Sequence, residues 1–338
     1  DLPDGPINLL TQTFNSVKRA GWIGVDLFFV LSGFLVSGLL FKEYLLKGKV
    51  RPLYFLIRRG FKIYPGYYVL LILTPWLLPW TPPKWGYLSE GLFFQNYWAR
   101  LWNHTWSLAV EEHFYILVAV FLPLILSQPT KKDRDRIPFF VGFIGVAALV
   151  ARILTYSNSE YTNQTHIFPS HLRIDSLLFG LYLSYLFHIR KDTWAALTNG
   201  LSQIVIAVAC LALLPTFVWD LEKNFYLGTF GLTINYLAFG VLLLGFLKYY
   251  PLSTPMPLKL ISIVGFYSYS IYLWHIPVKW KAHFALQKFP VLAENYWFGT
   301  FTYLAVAILL GIVLGRLIEI PFLKLRDKIY PSRSGGIS

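Results

Sequence analysis

The sequence predicts an all-α polytopic membrane protein, and three observations predict it. The chain is 56% hydrophobic and only 14% charged, against roughly 25% charged in a soluble domain. Apolar runs of about the 20 residues that a bilayer demands recur along the chain. Lys and Arg gather in alternate connections between those runs, as they do on the cytoplasmic side of membrane proteins. Topology thus accounts for the net charge of +13 without nucleic acid as a partner. The mean hydropathy is +0.51. The single cysteine, Cys210, lies in an apolar run, which excludes a disulfide within the chain and a paired-cysteine metal site.

Nine spans are expected, at about 22–41, 62–80, 107–127, 138–155, 171–188, 201–219, 226–247, 260–279 and 298–320. The second should be broken by Pro75 and Pro79. The basic connections are 42–62 (seven Lys and Arg), 128–137 (Lys131, Lys132, Arg134, Arg136), Arg190 and Lys191, Lys248 and Lys259, and the end of the chain from Arg316 to Arg333. All fall on one side, which the positive-inside rule makes cytoplasmic. The opposite connections, 81–105, 156–170 and 280–297, are aromatic and poor in Lys and Arg. An inside C-terminus with nine spans puts Asp1 outside, and nothing in 1–20 would carry that end across. A preceding helix is therefore expected. The expected organisation is an outer-side segment 1–20, a transmembrane domain 21–322 and a cytoplasmic tail 323–338.

Ionisable groups at membrane depth are the candidate functional residues, since each is costly in hydrocarbon. Gly24–Phe34 opens the first span with Asp26 about one turn inside. Thr105–Tyr115 carries Glu111, Glu112 and His113 at the mouth of a run with no other charge. Glu also suits the first turn of any helix. Arg58–Pro65 places Arg58, Arg59 and Lys62 at the cytoplasmic start of the second span. Arg59 and Lys62 share a helical face and suit phosphates; topology and snorkelling are the plainer reading. His171–Ser176 begins the fifth span. Arg173 and Asp175 do not face each other, so each should pair with a neighbouring helix, Arg173 with Asp26 or Glu111. His275 stands near the outer end of Phe266–Pro277, whose hydroxyls and rings suit a sugar or an interfacial belt. Outer-side Asp26, Glu111, Arg173 and His275 and the inner-edge cations then form one through-membrane workplace. No Gly-x-Ser-x-Gly elbow, Walker loop or His-Glu-x-x-His motif appears. No metal is expected. Asn103-His104-Thr105 and Asn163-Gln164-Thr165 match the glycosylation triplet.

Six blocks, in order, resemble the integral-membrane acyltransferase 3 family: Gly24–Phe34, Arg58–Pro65, Thr105–Tyr115, Arg173–Gly180, Ser268–Pro277 and Glu319–Phe322. That family includes O-acetyltransferases of bacterial surface polysaccharides and peptidoglycan. The resemblance implies a ten-helix fold in the bacterial inner membrane. It implies transfer of an acyl group, usually acetyl from acetyl-CoA, to a hydroxyl of a cell-surface or lipid-linked carbohydrate. The family's arginine pair for acyl-CoA falls on Arg59 and Lys62, where Lys keeps the charge and loses the bidentate fork. The family's first helix, with its catalytic histidine, would precede Asp1, and none of the seven histidines here takes that place by motif.

On this reading Glu111 orients a histidine that serves as base or acyl relay. Asp26 and Arg173 set the local charge pattern, with His275 a further catalytic candidate. Arg58, Arg59 and Lys62 hold the coenzyme. Three rivals remain: a transporter or flippase of a glycan or small anion, a silent scaffold, and a membrane-bound O-acyltransferase of the other large class. The oligomeric state is not legible.

Overall fold

The computed structural model describes residues 9–126, 136–249, 256–286 and 296–332. Its helices, in chain order, are α1 Leu9–Arg19, α2 Ile23–Lys47, α3 Pro52–Leu77, α4 Gly86–Gly91, α5 Trp106–Leu126, α6 Arg136–Asn158 and α7 Ile174–His188. There follow α8 Lys191–Gly200, α9 Gln203–Ala212, α10 Leu232–Tyr249, α11 Met256–Phe266, α12 Ser268–Leu286, α13 Tyr296–Leu314 and α14 Ile320–Ile329. No strand occurs among the described residues. Lys131, Lys132, Arg134, Arg333, residue Asp1 and half of the 280–297 connection lie outside them.

The nine expected spans are not confirmed as such. Five segments among the described residues are long and apolar enough to cross a membrane: Gln12–Lys47, Asn103–Leu126, Arg136–Asn158, Leu227–Tyr249 and Trp297–Ile329. A sixth is reached if Lys191–Gly200 and Gln203–Val218, bent by 86°, count as one. The physical reasons for the shortfall are local. The fifth expected span is a 15-residue helix, α7, preceded by a 3₁₀ turn at Ser170–Leu172. The eighth is two helices, because the chain turns at Tyr267 between α11 and α12. The second, α3, begins at Pro52 and is diluted by Arg58, Arg59, Lys62 and its tyrosines.

The course of α3 also corrects two expectations. Arg58–Pro65 lies well inside the helix rather than at its start. Pro75 does not break it, since the Leu78 amide still reaches the Thr74 carbonyl at 2.9 Å and the helix runs to Leu77. Its predecessor α2 ends on a defined signal: Gly48 adopts φ 68°, and its amide donates to the Tyr44 carbonyl at 2.8 Å, a left-handed cap that glycine alone takes cheaply.

The chain divides into two compact units. The first contains 53–106 and 253–332, hence most of α3, α4 and α11 to α14. The second contains 4–52 and 107–252, hence α1, α2, nearly all of α5, and α6 to α10.

The second unit is organised on the contact of α2 with α7. A Cβ built on Gly33 would lie 2.0 Å from the Leu177 carbonyl oxygen, and one on Gly180 would lie 2.2 Å from that of Val30. The two backbones therefore touch, as small residues permit in membrane helices. Further along, Gly38 faces Ser184 and His188, so the helices run parallel. Around this seam Val30, Phe34, Leu183, Ala209, Leu213 and Phe239 form a buried apolar cluster.

Candidate functional site

Register along that seam assembles the first polar cluster. Asp26 precedes Gly33 by seven residues and Arg173 precedes Gly180 by seven, so each charge sits two turns above its glycine on the same face. Arg173 Nη2 accordingly donates to Asp26 Oδ1, and both side chains are 2% exposed. A second buried pair lies in the same unit. Arg152 of α6 donates through Nη2 to Asp175 Oδ2 at 2.8 Å and through Nη1 to Oδ1 at 3.3 Å. It also reaches the Thr233 hydroxyl at 2.7 Å and the Leu172 carbonyl at 2.8 Å. Two cations and two carboxylates balance, which is the condition under which buried charge is tolerated. Asn235 of α10, also buried, lies within reach of the Asp26 carboxyl.

Glu111 forms a separate constellation. Its Oε1 accepts hydrogen bonds from the Ser32 hydroxyl on α2 and the Tyr115 hydroxyl one turn along α5, and the two hydroxyls are 3.4 Å apart. Ser32 lies six residues beyond Asp26, about 9 Å along the helix. The two acidic groups expected at similar depth are thus offset by that distance. Next in sequence, His113 Nδ1 meets the Ser170 hydroxyl at 2.6 Å, and Glu112 is buried. Of the two partners open to Arg173 from sequence, the structure pairs it with Asp26.

Arg58, Arg59, Lys62 and His275 belong to the first unit. Lys62 Nζ is 3.2 Å from Glu319 Oε1, and the Ser270 hydroxyl donates to Oε2 of the same carboxylate at 2.8 Å. Arg58 pairs with Asp327 at 3.1 Å and donates to the Tyr330 carbonyl. Arg59 lies 5.9 Å over the Phe55 ring. His275 Nδ1 donates to the Tyr272 carbonyl at 2.5 Å, which leaves the lone pair on Nε2. Facing it with ring centroids 5.0 Å apart, His104 donates from Nε2 to the Leu273 carbonyl at 3.0 Å. The two carbonyls fix opposite tautomers.

Sequence reasoning passed over Glu90, Arg152 and His104. Glu90 is fully buried. Its Oε1 accepts from the Leu101 and Trp102 amides at 3.0 and 3.1 Å and from the Thr105 hydroxyl at 2.9 Å. Its Oε2 accepts from Tyr67 at 2.5 Å. Burial pushes this carboxyl above the usual carboxylate range even though these donors pull it down. The carboxylate thereby ties the 81–105 connection to α3, and Thr105 of the first glycosylation triplet is buried in that network. Arg152 was detectable, being the lone cation in the apolar run 138–155. No group of three or more metal-ligating side chains occurs among the described residues.

A family model described as an acyltransferase domain matches residues 1–316. The O-acetyltransferase OatA of Staphylococcus aureus strain NCTC 8325 / PS 47 is 27% identical over 285 residues, covering 76% of this chain and 46% of that protein. OatA of strain COL gives the same figures, 27% over 285 residues with 76% and 46% covered. This chain thus spans about half the length of the curated relatives it matches. No solved structure matches.

Proposed function

The chain belongs to the acyltransferase family matched over residues 1–316, and from that premise we propose that it is the membrane part of an O-acetyltransferase. Its donor is acetyl-CoA and its acceptor a hydroxyl of a cell-envelope carbohydrate. The apolar helices and the family together make it an integral membrane protein. Nine crossings in a bacterial inner membrane, with the C-terminus in the cytoplasm, are our finer reading, and 323–338 is its cytoplasmic end.

The observation that carries the reading is the buried Glu111 carboxylate, which already gathers two hydroxyls on one oxygen. A carboxylate so placed can orient an imidazole or polarise an acceptor hydroxyl. In the transfer the acceptor O–H loses its proton, its oxygen bonds to the acetyl carbonyl carbon, the C–S bond breaks, and the thiol of coenzyme A leaves. The family resemblance assigns the proton to a histidine. Within this chain Glu111 positions, while the Asp26–Arg173 pair holds α2 and α7 in register. Arg59 and Lys62 are the cations we assign to the coenzyme phosphates. Arg58, directed to Asp327 and the Tyr330 carbonyl, takes a lesser part in holding the coenzyme. His275, with its Nε2 lone pair, remains a proton acceptor in reserve.

The test is Glu111→Gln in the full-length protein, reading acetyl transfer to envelope carbohydrate. Loss of transfer at normal membrane levels supports the assignment; unchanged transfer removes Glu111 from the mechanism.

A further inference from the structure

The acyl-transfer reading leaves one feature of the first unit unused. A groove of about 450 Å³ runs along α3, lined by Leu56, Ile57, Gly60, Phe61 and Tyr64, with Phe322 of α14 beside them. Helical spacing puts Leu56, Gly60 and Tyr64 in one row and Ile57 and Phe61 in the next. Gly60 makes room for the Tyr64 ring, since a Cβ there would stand 3.0 Å from it. α14 runs antiparallel to α3: Glu319 meets Lys62 and Asp327 meets Arg58. Tyr330 lies further on, against Tyr54.

Two cations flank this lining: Arg326 stands one turn beyond Phe322 on α14, and Arg58 three residues before Phe61 on α3. Arg58 and Arg326 share the single carboxylate of Asp327, at 3.1 and 2.9 Å, so that trio retains one positive charge. Arg326 also lies within electrostatic reach of Arg59. The groove continues to Pro65. The ten residues from Leu56 to Pro65 span about 13 Å of helix, close to half of a roughly 30 Å hydrocarbon core. Shape and charge together describe an amphiphile with an anionic head at the Arg58 end and one apolar chain along the groove.

We propose that the α3–α14 groove is a binding site for an anionic glycerophospholipid, with its phosphate on Arg58 and Arg326 and an acyl chain along Leu56–Tyr64 and Phe322. The surplus positive charge favours an anionic head over a zwitterionic one. A coenzyme needs the cations and has no use for an apolar groove of this length.

The experiment is native mass spectrometry of the delipidated full-length protein titrated with phosphatidylglycerol and with phosphatidylcholine of identical chains. It needs no acetyl transfer, so it stands or falls apart from the proposed enzymatic activity. Phosphatidylglycerol should bind about fivefold tighter, the worth of one surplus basic residue facing an anionic head. Arg326→Gln should bring it down to the phosphatidylcholine level, and Ile57→Trp, which fills the groove, should weaken both lipids. Equal binding of the two lipids to the wild-type protein would overturn the proposal without recourse to any variant. So would an unaltered preference in both variants, or displacement of bound lipid by stoichiometric coenzyme A, which would make the groove the donor's.

Discussion

Replacing Gly33 by alanine tests how the α2–α7 seam assembles the polar cluster. The added Cβ would lie 2.0 Å from the Leu177 carbonyl oxygen, 2.9 Å from its carbon and 3.2 Å from Gly180 Cα. Ordinary contact begins at 3.4 Å, and the obstacle is backbone, so the helices themselves must part. Overpacking of this kind costs about 1–3 kcal/mol. Separation also draws Arg173 away from Asp26, and a buried pair deprived of its partner costs about 3–5 kcal/mol. G33A should therefore destabilise by at least about 2 kcal/mol and lower acetyl transfer further than its membrane level falls. The control is Gly24 of the same helix, where a Cβ meets nothing within 4 Å. G24A should be neutral or stabilising by about 0.5–1 kcal/mol. Thermal unfolding of the detergent-purified proteins, with transfer measured alongside, decides. If G33A melts with G24A and keeps its activity, the close crossing does not position the charges.

Asp26→Asn should cost about 3 kcal/mol, and pairing it with Arg173→Gln should recover part of that loss in a double-mutant cycle read by thermal unfolding. Glu90→Gln should loosen the 81–105 connection by about 1–3 kcal/mol, because one oxygen cannot replace two toward four donors. Folding raises the proton affinity of Glu90 through burial, so the native state binds more protons than the unfolded chain over that window. Its contribution is complete below the unfolded carboxylate value and is lost as pH rises through the higher folded one; E90Q should abolish that component of a melting-temperature profile. His275→Asn keeps a donor for the Tyr272 carbonyl and removes the Nε2 lone pair. Transfer should fall while stability holds, and equal turnover would leave His275 a packing residue.

The parts of this protein that could be read from the sequence are those governed by local pattern. Apolar run length located the helices that contain Asp26, Glu111, Arg152 and His275. The cost of charge in hydrocarbon singled out Asp26, Glu111 and Arg173, and the rule that neighbours two apart on a helix do not meet sent Arg173 and Asp175 to different helices. The pairings depend on register between distant segments. Nothing local announces that Gly33 and Gly180 touch, so the choice of Asp26 over Glu111 for Arg173 stayed open. The number of crossings is harder to read for a related reason. Hydropathy measures composition, and α7 is apolar because it is buried in protein over only 15 residues. Glu90 was missed because a carboxylate in an aromatic connection looks solvated until Tyr67, Leu101, Trp102 and Thr105 close around it.

The most direct test of the central claim is acetyl transfer by the full-length protein reconstituted in liposomes. Labelled acetyl-CoA is supplied and an envelope carbohydrate offered as acceptor, for wild type and Glu111→Gln. The account predicts label on carbohydrate hydroxyls with the wild type and at least about a hundredfold less with the variant, the lower range for a lost acid–base contribution. Label reaching carbohydrate equally in both would contradict it.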